Sequence, residues 1–215
     1  MNPSLLVLHD VGDAAGSGPW AAALVEAGWR GRIVAPDLPG HAGAPPPVGG
    51  HHEMCDAAFV ASAVLGDLGS GPLVALGVGT NGWSAQVLAL GGRATALVLV
   101  DGLGAPWLDA DEVVQLQIDR LRAIADDPAA LAPAPAGVLD PRLRHGVGHL
   151  ADLDFARRAA AATPVPVLVI ETPASAATPA ERRDLVARFP AGGELVEVDE
   201  ANPRAVARAV VGWAA

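Results

Sequence analysis

Residues 74–82 read V-A-L-G-V-G-T-N-G, and this stretch decides the fold. Its first half is continuously apolar, as a strand is when both faces of its sheet are covered. Its second half carries Gly77, Gly79 and Gly82. Glycines at this density permit a sharp turn and a close approach of backbone to backbone. The residues that follow, W-S-A-Q-V-L-A-L at 83–90, read as a helix. A buried strand, a tight turn and a helix make one half of a βαβ unit.

Working outward, six short apolar runs read as strands: Leu5–His9, Arg32–Ala35, Leu73–Gly77, Ala96–Asp101, Val165–Glu171 and Leu195–Asp199. Helical stretches separate them. Gly18-Pro19 opens the first, which ends near Gly28. Thr178-Pro179-Ala180-Glu181 is a capping box with Pro at the first helical position, and Asn202-Pro203 starts the last helix in a similar way. Alternation of strand and helix predicts an α/β class with right-handed crossovers. One segment breaks the alternation. Asp109 to Glu112 caps an amphipathic helix with Val114, Ile118, Leu121 and Ala125 on one face. Pro- and Ala-rich turns follow at Ala130–Val138, then a second helix near Asp154–Ala162. The expectation is a single domain over 1–215, with 103–163 inserted as a helical lid.

Composition narrows the partners. The 215 residues are 51% hydrophobic, enough for a sizeable core, yet no apolar run is long enough to cross a bilayer and the start lacks a signal-peptide pattern. A cytoplasmic location is expected. Cys55 is the only cysteine, so neither an internal disulfide nor a thiolate metal cluster is available. The cationic side chains are all Arg, and the net charge of −10 argues against nucleic acid or an anionic membrane as partner. His51-His52-Glu53 is half of a metal site with no second cluster at ligand spacing, so no metal is expected.

Several motifs together resemble the α/β-hydrolase superfamily over nearly the whole chain. L-L-V-L-H-D at 5–10 resembles the strand leading to the oxyanion loop. Trp20 matches a Trp that often opens the first helix. V-A-P-D-L-P-G-H-A-G-A-P at 34–45 resembles the D-L-P-G-H-G-x-S loop and is the most specific match. L-G-V-G-T-N-G at 76–82 sits at the nucleophile elbow. L-V-L-V-D at 97–101 and P-V-L-V-I-E at 166–171 match the next two strands. The resemblance implies a three-layer sandwich on a six-stranded parallel sheet of order 2-1-3-4-5-6, without the usual N-terminal hairpin. Ligands bind such sheets where the strand order reverses, and Asp10–Gly12 and Gly79–Asn81 fall there.

The same resemblance shows what is missing. The nucleophilic Ser belongs at position 79, where this chain has Gly79. The strand after the lid ends in Glu171-Thr172-Pro173-Ala174 in place of G-x-x-D, and Val198 to Asn202 after the last strand hold no His. Loss of nucleophile and base together removes the Ser-Asp-His mechanism. Asp10 also stands where a Gly is usual.

Four functional readings follow. The first is a triad-less member that binds a small carbonyl- or acid-bearing molecule or has no catalytic role. The second is a lyase, isomerase or cyclase. It would use the N–H of Thr80 and one from Asp10 or Val11 as an oxyanion hole, with Asp10, Asp101, Glu171 or a lid His as acid or base. His9, Val11, Gly79, Thr80, Asn81, Trp107, His145 and His149 are the candidate ligand contacts. The third is an esterase with a displaced nucleophile, for which Ser17, Thr80 and Ser84 are at hand. The fourth is dinucleotide binding, since Gly77, Gly79 and Gly82 spell G-x-G-x-x-G with Asp101 at the ribose-binding distance. Otherwise no cofactor is expected. The strand at Arg32–Ala35 is an open sheet edge, which suggests a homodimer.

Overall fold

A computed structural model describes residues 2–47, 50–102, 107–132, 138–149 and 152–214. Six strands form one parallel sheet: β1 (Ser4–Leu8), β2 (Ile33–Val34), β3 (Leu73–Val78), β4 (Ala96–Val100), β5 (Val167–Glu171) and β6 (Gly193–Glu197). Their spatial order is β2-β1-β3-β4-β5-β6, as the sequence predicts. Side chains alternate across the sheet. Leu5 and Val7 of β1 pack with Trp20 and Leu24 of α1 (Gly18–Ala27) and with Val206 and Val210 of α8 (Pro203–Ala214). Leu6 and Leu8 face the other way, toward α2 (Asp56–Val64), α3 (Gly82–Leu90), α6 (Leu153–Ala162) and α7 (Pro179–Val186). The result is three layers.

The sequence-level caps are present. Gly28 ends α1 in the left-handed region at φ 100°, and Thr178 and Glu181 close a reciprocal capping box on α7. Asn202 Oδ1 accepts from Ala205 N–H at the start of α8. The strand bounds shift from the expectation by one or two residues; β5 begins at Val167 rather than Val165. β2 pairs over only two residues, and β6 begins two residues before Leu195, because the partner register starts at Val167 opposite Gly193.

Between β4 and β5 lie α4 (Ala110–Ala125), α5 (Pro128–Leu131), a 3₁₀ turn at Pro141–His145, and α6. The predicted turns at Ala130–Val138 lie partly outside the described residues. α4 is capped by Asp109 and Glu112, as expected, but its predicted face is turned outward. Val114, Ile118 and Leu121 are exposed, while Val113 is buried and Gln117, Arg120 and Ile124 are half-buried. The reason is polar. Arg120 donates to the carbonyls of Gly146 (2.9 Å) and His52 (3.0 Å), and Gln117 donates to that of His149. Among the described residues no helix is long and apolar enough to cross a membrane.

Candidate functional site

Strand register brings the candidate acids to one end of the sheet. Leu8 lies opposite Gly77, so Asp10 and Gly79 emerge side by side two residues later. Val78 lies opposite Val100, which puts Asp101 on the other flank of Gly79. Gly79 is in the left-handed region at φ 54°. A Cβ on it would lie 2.2 Å from Asp10 Cγ and 2.2 and 2.4 Å from its two oxygens. The Asp10 carboxylate thus fills the space that a side chain at the elbow would take.

That carboxylate is anchored by backbone. Asp10 Oδ1 accepts from Val11 N–H at 2.8 Å and from Thr80 N–H at 3.1 Å. These are the donors that the sequence assigns to an oxyanion hole, and an oxygen of the chain itself occupies both. Burial raises the affinity of Asp10 for its proton, and the negative charges of Asp13 and Asp101 act in the same direction; the two N–H bonds oppose them.

The loop carrying Asp10 is braced from below. His9 is fully buried. Its Nε2 accepts from Leu38 N–H at 3.1 Å, so its Nδ1 carries the proton and donates to Asp10 O at 2.9 Å. Burial lowers its proton affinity, in keeping with a neutral ring. His41 stacks edge-on against it at 4.9 Å and accepts from Gly12 N–H at 2.9 Å. Asn81, also buried, donates to His9 O. The D-L-P-G-H loop and the elbow therefore hold the Asp10 loop in place through ring nitrogens and amides that are already engaged.

A pocket of about 220 Å³ opens over the elbow. Asp10, Gly79, Thr80, Asp101 and His149 form its polar side, and Met54, Val78, Ala174 and Ala176 its apolar side. His149 reaches it because its segment pairs with residues 52–54: Gly148 N–H donates to His52 O at 3.0 Å and Met54 N–H to Gly148 O at 3.3 Å. Asp101, itself at φ 49°, spends both oxygens on Thr172, accepting from its N–H at 2.7 Å and its hydroxyl at 2.6 Å.

Other candidates lie elsewhere. Glu171 is buried behind the sheet end, 3.2 Å from Arg182 Nε; burial raises its proton affinity and Arg182 opposes that. His145 pairs with Asp127 at 2.9 Å. Trp107 lines a separate groove with Asp109, Asp152 and Glu181. Val11 contributes its N–H. Both alternative serines are spoken for: Ser17 donates to Ala35 O, and Ser84, fully buried, to Met54 O at 2.6 Å. Gly77 and Gly82 answer to packing, since a Cβ on either would strike the backbone of Asn81 or Gly102 at 2.3 and 2.0 Å.

One network escapes the sequence. His52 is buried, with Nε2 3.2 Å from Asp140 Oδ2, and Arg142 Nε lies 3.0 and 3.1 Å from the two Asp140 oxygens. A Cβ on Gly40 would meet both His52 (2.8 Å) and Asp140 (2.9 Å), so the D-L-P-G-H loop sits directly against this cluster. Burial disfavours the Asp140 charge, but the bonds from Arg142 and His52 prevail and hold its carboxyl well below the usual range. Burial lowers the proton affinity of His52. Among the described residues no group of three or more His, Cys, Asp or Glu side chains is placed to hold a metal ion.

Sheet order, layer arrangement and the strand–elbow–helix at Gly79 define the α/β-hydrolase fold. Solved structures agree. The chain is similar to a hypothetical protein of Pseudomonas aeruginosa PAO1, with TM-score 0.73 and 20% identity over 99% of this chain and 91% of that one. It is similar to a monoacylglycerol lipase of Paleococcus ferrophilus, with TM-score 0.70 and 18% identity over 98% and 93%. An enol-lactonase of Burkholderia xenovorans LB400 matches with TM-score 0.69 and 21% identity over 99% and 88%. No protein-family model and no curated protein sequence matches the chain.

Proposed function

We propose that this α/β-hydrolase-fold protein binds a small carbonyl- or acid-bearing molecule in the pocket over Gly79 and does not hydrolyse it through a serine. One observation carries the reading: the space of the nucleophile and the two N–H groups beside it belong to the Asp10 carboxylate. A covalent route needs a nucleophile with a partnered base and an open oxyanion hole. Ser17 and Ser84 are each engaged by a backbone carbonyl, and Thr80, the third candidate, lends its N–H to Asp10 with no partnered base beside it among the described hydrogen bonds. We read 103–163 as the lid, since His149 at the pocket comes from it. Edge strand β2 supports pairing with a second copy, which sedimentation at high concentration tests.

A non-hydrolytic enzyme is the second reading. It is supported by Asp10 and His149 facing one pocket, with burial bringing Asp10 closer to the range of a useful base. Dinucleotide binding finds less support, because the Thr80 N–H that would meet a pyrophosphate is engaged by Asp10.

Incubation with a fluorophosphonate probe followed by intact-mass analysis, beside a p-nitrophenyl acetate assay, tests the principal reading. No adduct and no turnover above buffer are expected. A stoichiometric adduct would return the protein to the serine hydrolases, and peptide mapping would find the nucleophile.

A further inference from the structure

We propose that Asp10 is a built-in competitor for the ligand: the N–H pair it occupies is a latent site for a small carboxylate, opened when the Asp10 side chain withdraws. The inference rests on the pocket being a ligand site. It deepens that reading by naming the ligand class and the condition for binding.

The geometry is that of a bound anion. Two N–H groups converge on one carboxylate oxygen at 2.8 and 3.1 Å, within the range of N–H···O hydrogen bonds. The donors come from different strands' ends, the Asp10 loop after β1 and the elbow after β3, so the sheet register holds them convergent whether or not Asp10 is between them. A ligand oxygen reaches them only by displacing Oδ1. The apolar walls at Met54, Val78, Ala174 and Ala176 suit a short hydrocarbon tail.

Charge makes displacement conditional. Two carboxylates at this spacing cannot both stay ionised without a shared proton or a retreat of one of them. Asp10 already faces Asp13 on its own loop and Asp101 from β4. His149, from the segment over the elbow, is the one imidazole among the described lining residues. His9 beneath takes no part, because its Nε2 is an acceptor for Leu38. The described lining residues include no Arg to offset a second negative charge, so withdrawal of Asp10 is coupled to uptake of one proton, which Asp10, buried and beside two like charges, takes.

The test uses butyrate and its neutral counterpart butyramide, followed by calorimetry or ligand-observed NMR between pH 5.5 and 8. Native protein is expected to bind butyrate more tightly as the pH falls, by up to about tenfold per pH unit while Asp10 is ionised, and to bind butyramide without that slope. Asp10→Gly empties the N–H pair and is expected to bind butyrate at least about tenfold more tightly than native at pH 8, with the slope gone. Asp10→Asn keeps an acceptor on the N–H pair without the charge, and is expected to lose the slope with a smaller gain. A slope of native steepness left in Asp10→Gly overturns the assignment of the proton to Asp10. Circular dichroism checks folding of each variant. The proposal is overturned if Asp10→Gly and Asp10→Asn bind butyrate no more tightly than native at pH 8, or if no form prefers butyrate to butyramide. A fluorophosphonate adduct would instead overturn the non-hydrolytic reading, whatever butyrate does.

Discussion

A serine at position 79 would set its Cβ 2.2 Å from the Asp10 carboxyl carbon, on a backbone at positive φ. Gly79→Ser is expected to destabilise the protein by about 2–4 kcal/mol in urea unfolding, from overpacking and the left-handed backbone together. Asp10→Gly in the same chain relieves the overpacking, so the double variant recovers most of the loss. Additive effects of the two substitutions would refute the reciprocity. Asp10→Asn bears on charge. A carboxyl with raised proton affinity in the folded state binds its proton more tightly there than in the unfolded chain. Its penalty is absent below the ordinary pKa of 3.8, sets in above it, and is complete above the raised value. Asp10→Asn is therefore expected to be more stable than native at pH 7, with the difference shrinking toward pH 4; equal melting temperatures at pH 7 would count against it. The two departures, Asp for a usual Gly and Gly for a usual Ser, are both visible in the sequence. Their relation is not, because it lies in the lateral register of β1 and β3 rather than in either motif.

Helix α4 shows what periodicity reads well and what it misreads. Its caps, length and apolar stripe are legible, but the face it turns to the molecule is fixed by Gln117 and Arg120 reaching carbonyls some thirty and seventy residues away in sequence. Polar replacement of the outward row, Val114→Ser with Ile118→Gln and Leu121→Gln, is expected to change stability by less than about 1 kcal/mol, since all three are exposed. A larger loss would mean that something covers them. Arg120→Met, by contrast, leaves the Gly146 carbonyl without its side-chain donor and the His52 carbonyl with Gly148 N–H alone. It is expected to cost about 1–2 kcal/mol and to speed amide exchange at Met54 and Gly148, whose N–H groups hold the paired segments together. Unchanged exchange at these two amides would show that the pairing stands without α4.

Across the whole molecule, the sheet is readable because four of its six strands are continuous apolar runs of the kind a doubly covered parallel sheet requires. The join between the sheet and the segment above it is not, because it rests on polar side chains far apart in sequence. His52 and Asp140 are 88 residues apart and meet only in the folded chain. Asp140 is held below its ordinary pKa of 3.8, so its stabilisation is present above that value and is lost as the pH falls through the depressed one. Asp140→Asn is expected to lower stability at pH 7 by about 2–4 kcal/mol, the loss of a buried carboxylate with Arg142 and His52 left behind. It is also expected to flatten the acid limb below about pH 4. A variant that keeps the native acid limb would place the acid sensitivity in another carboxylate.

The matched pair at positions 10 and 79 also fixes an order of events. Placing Ser at 79 first meets an occupied space, whereas placing Gly at 10 first leaves an empty one that the braced loop can tolerate. An elbow nucleophile at 79 therefore needs position 10 to give way, by substitution or by withdrawal of its side chain, and a library that varies position 79 alone leaves the first of these routes unexplored.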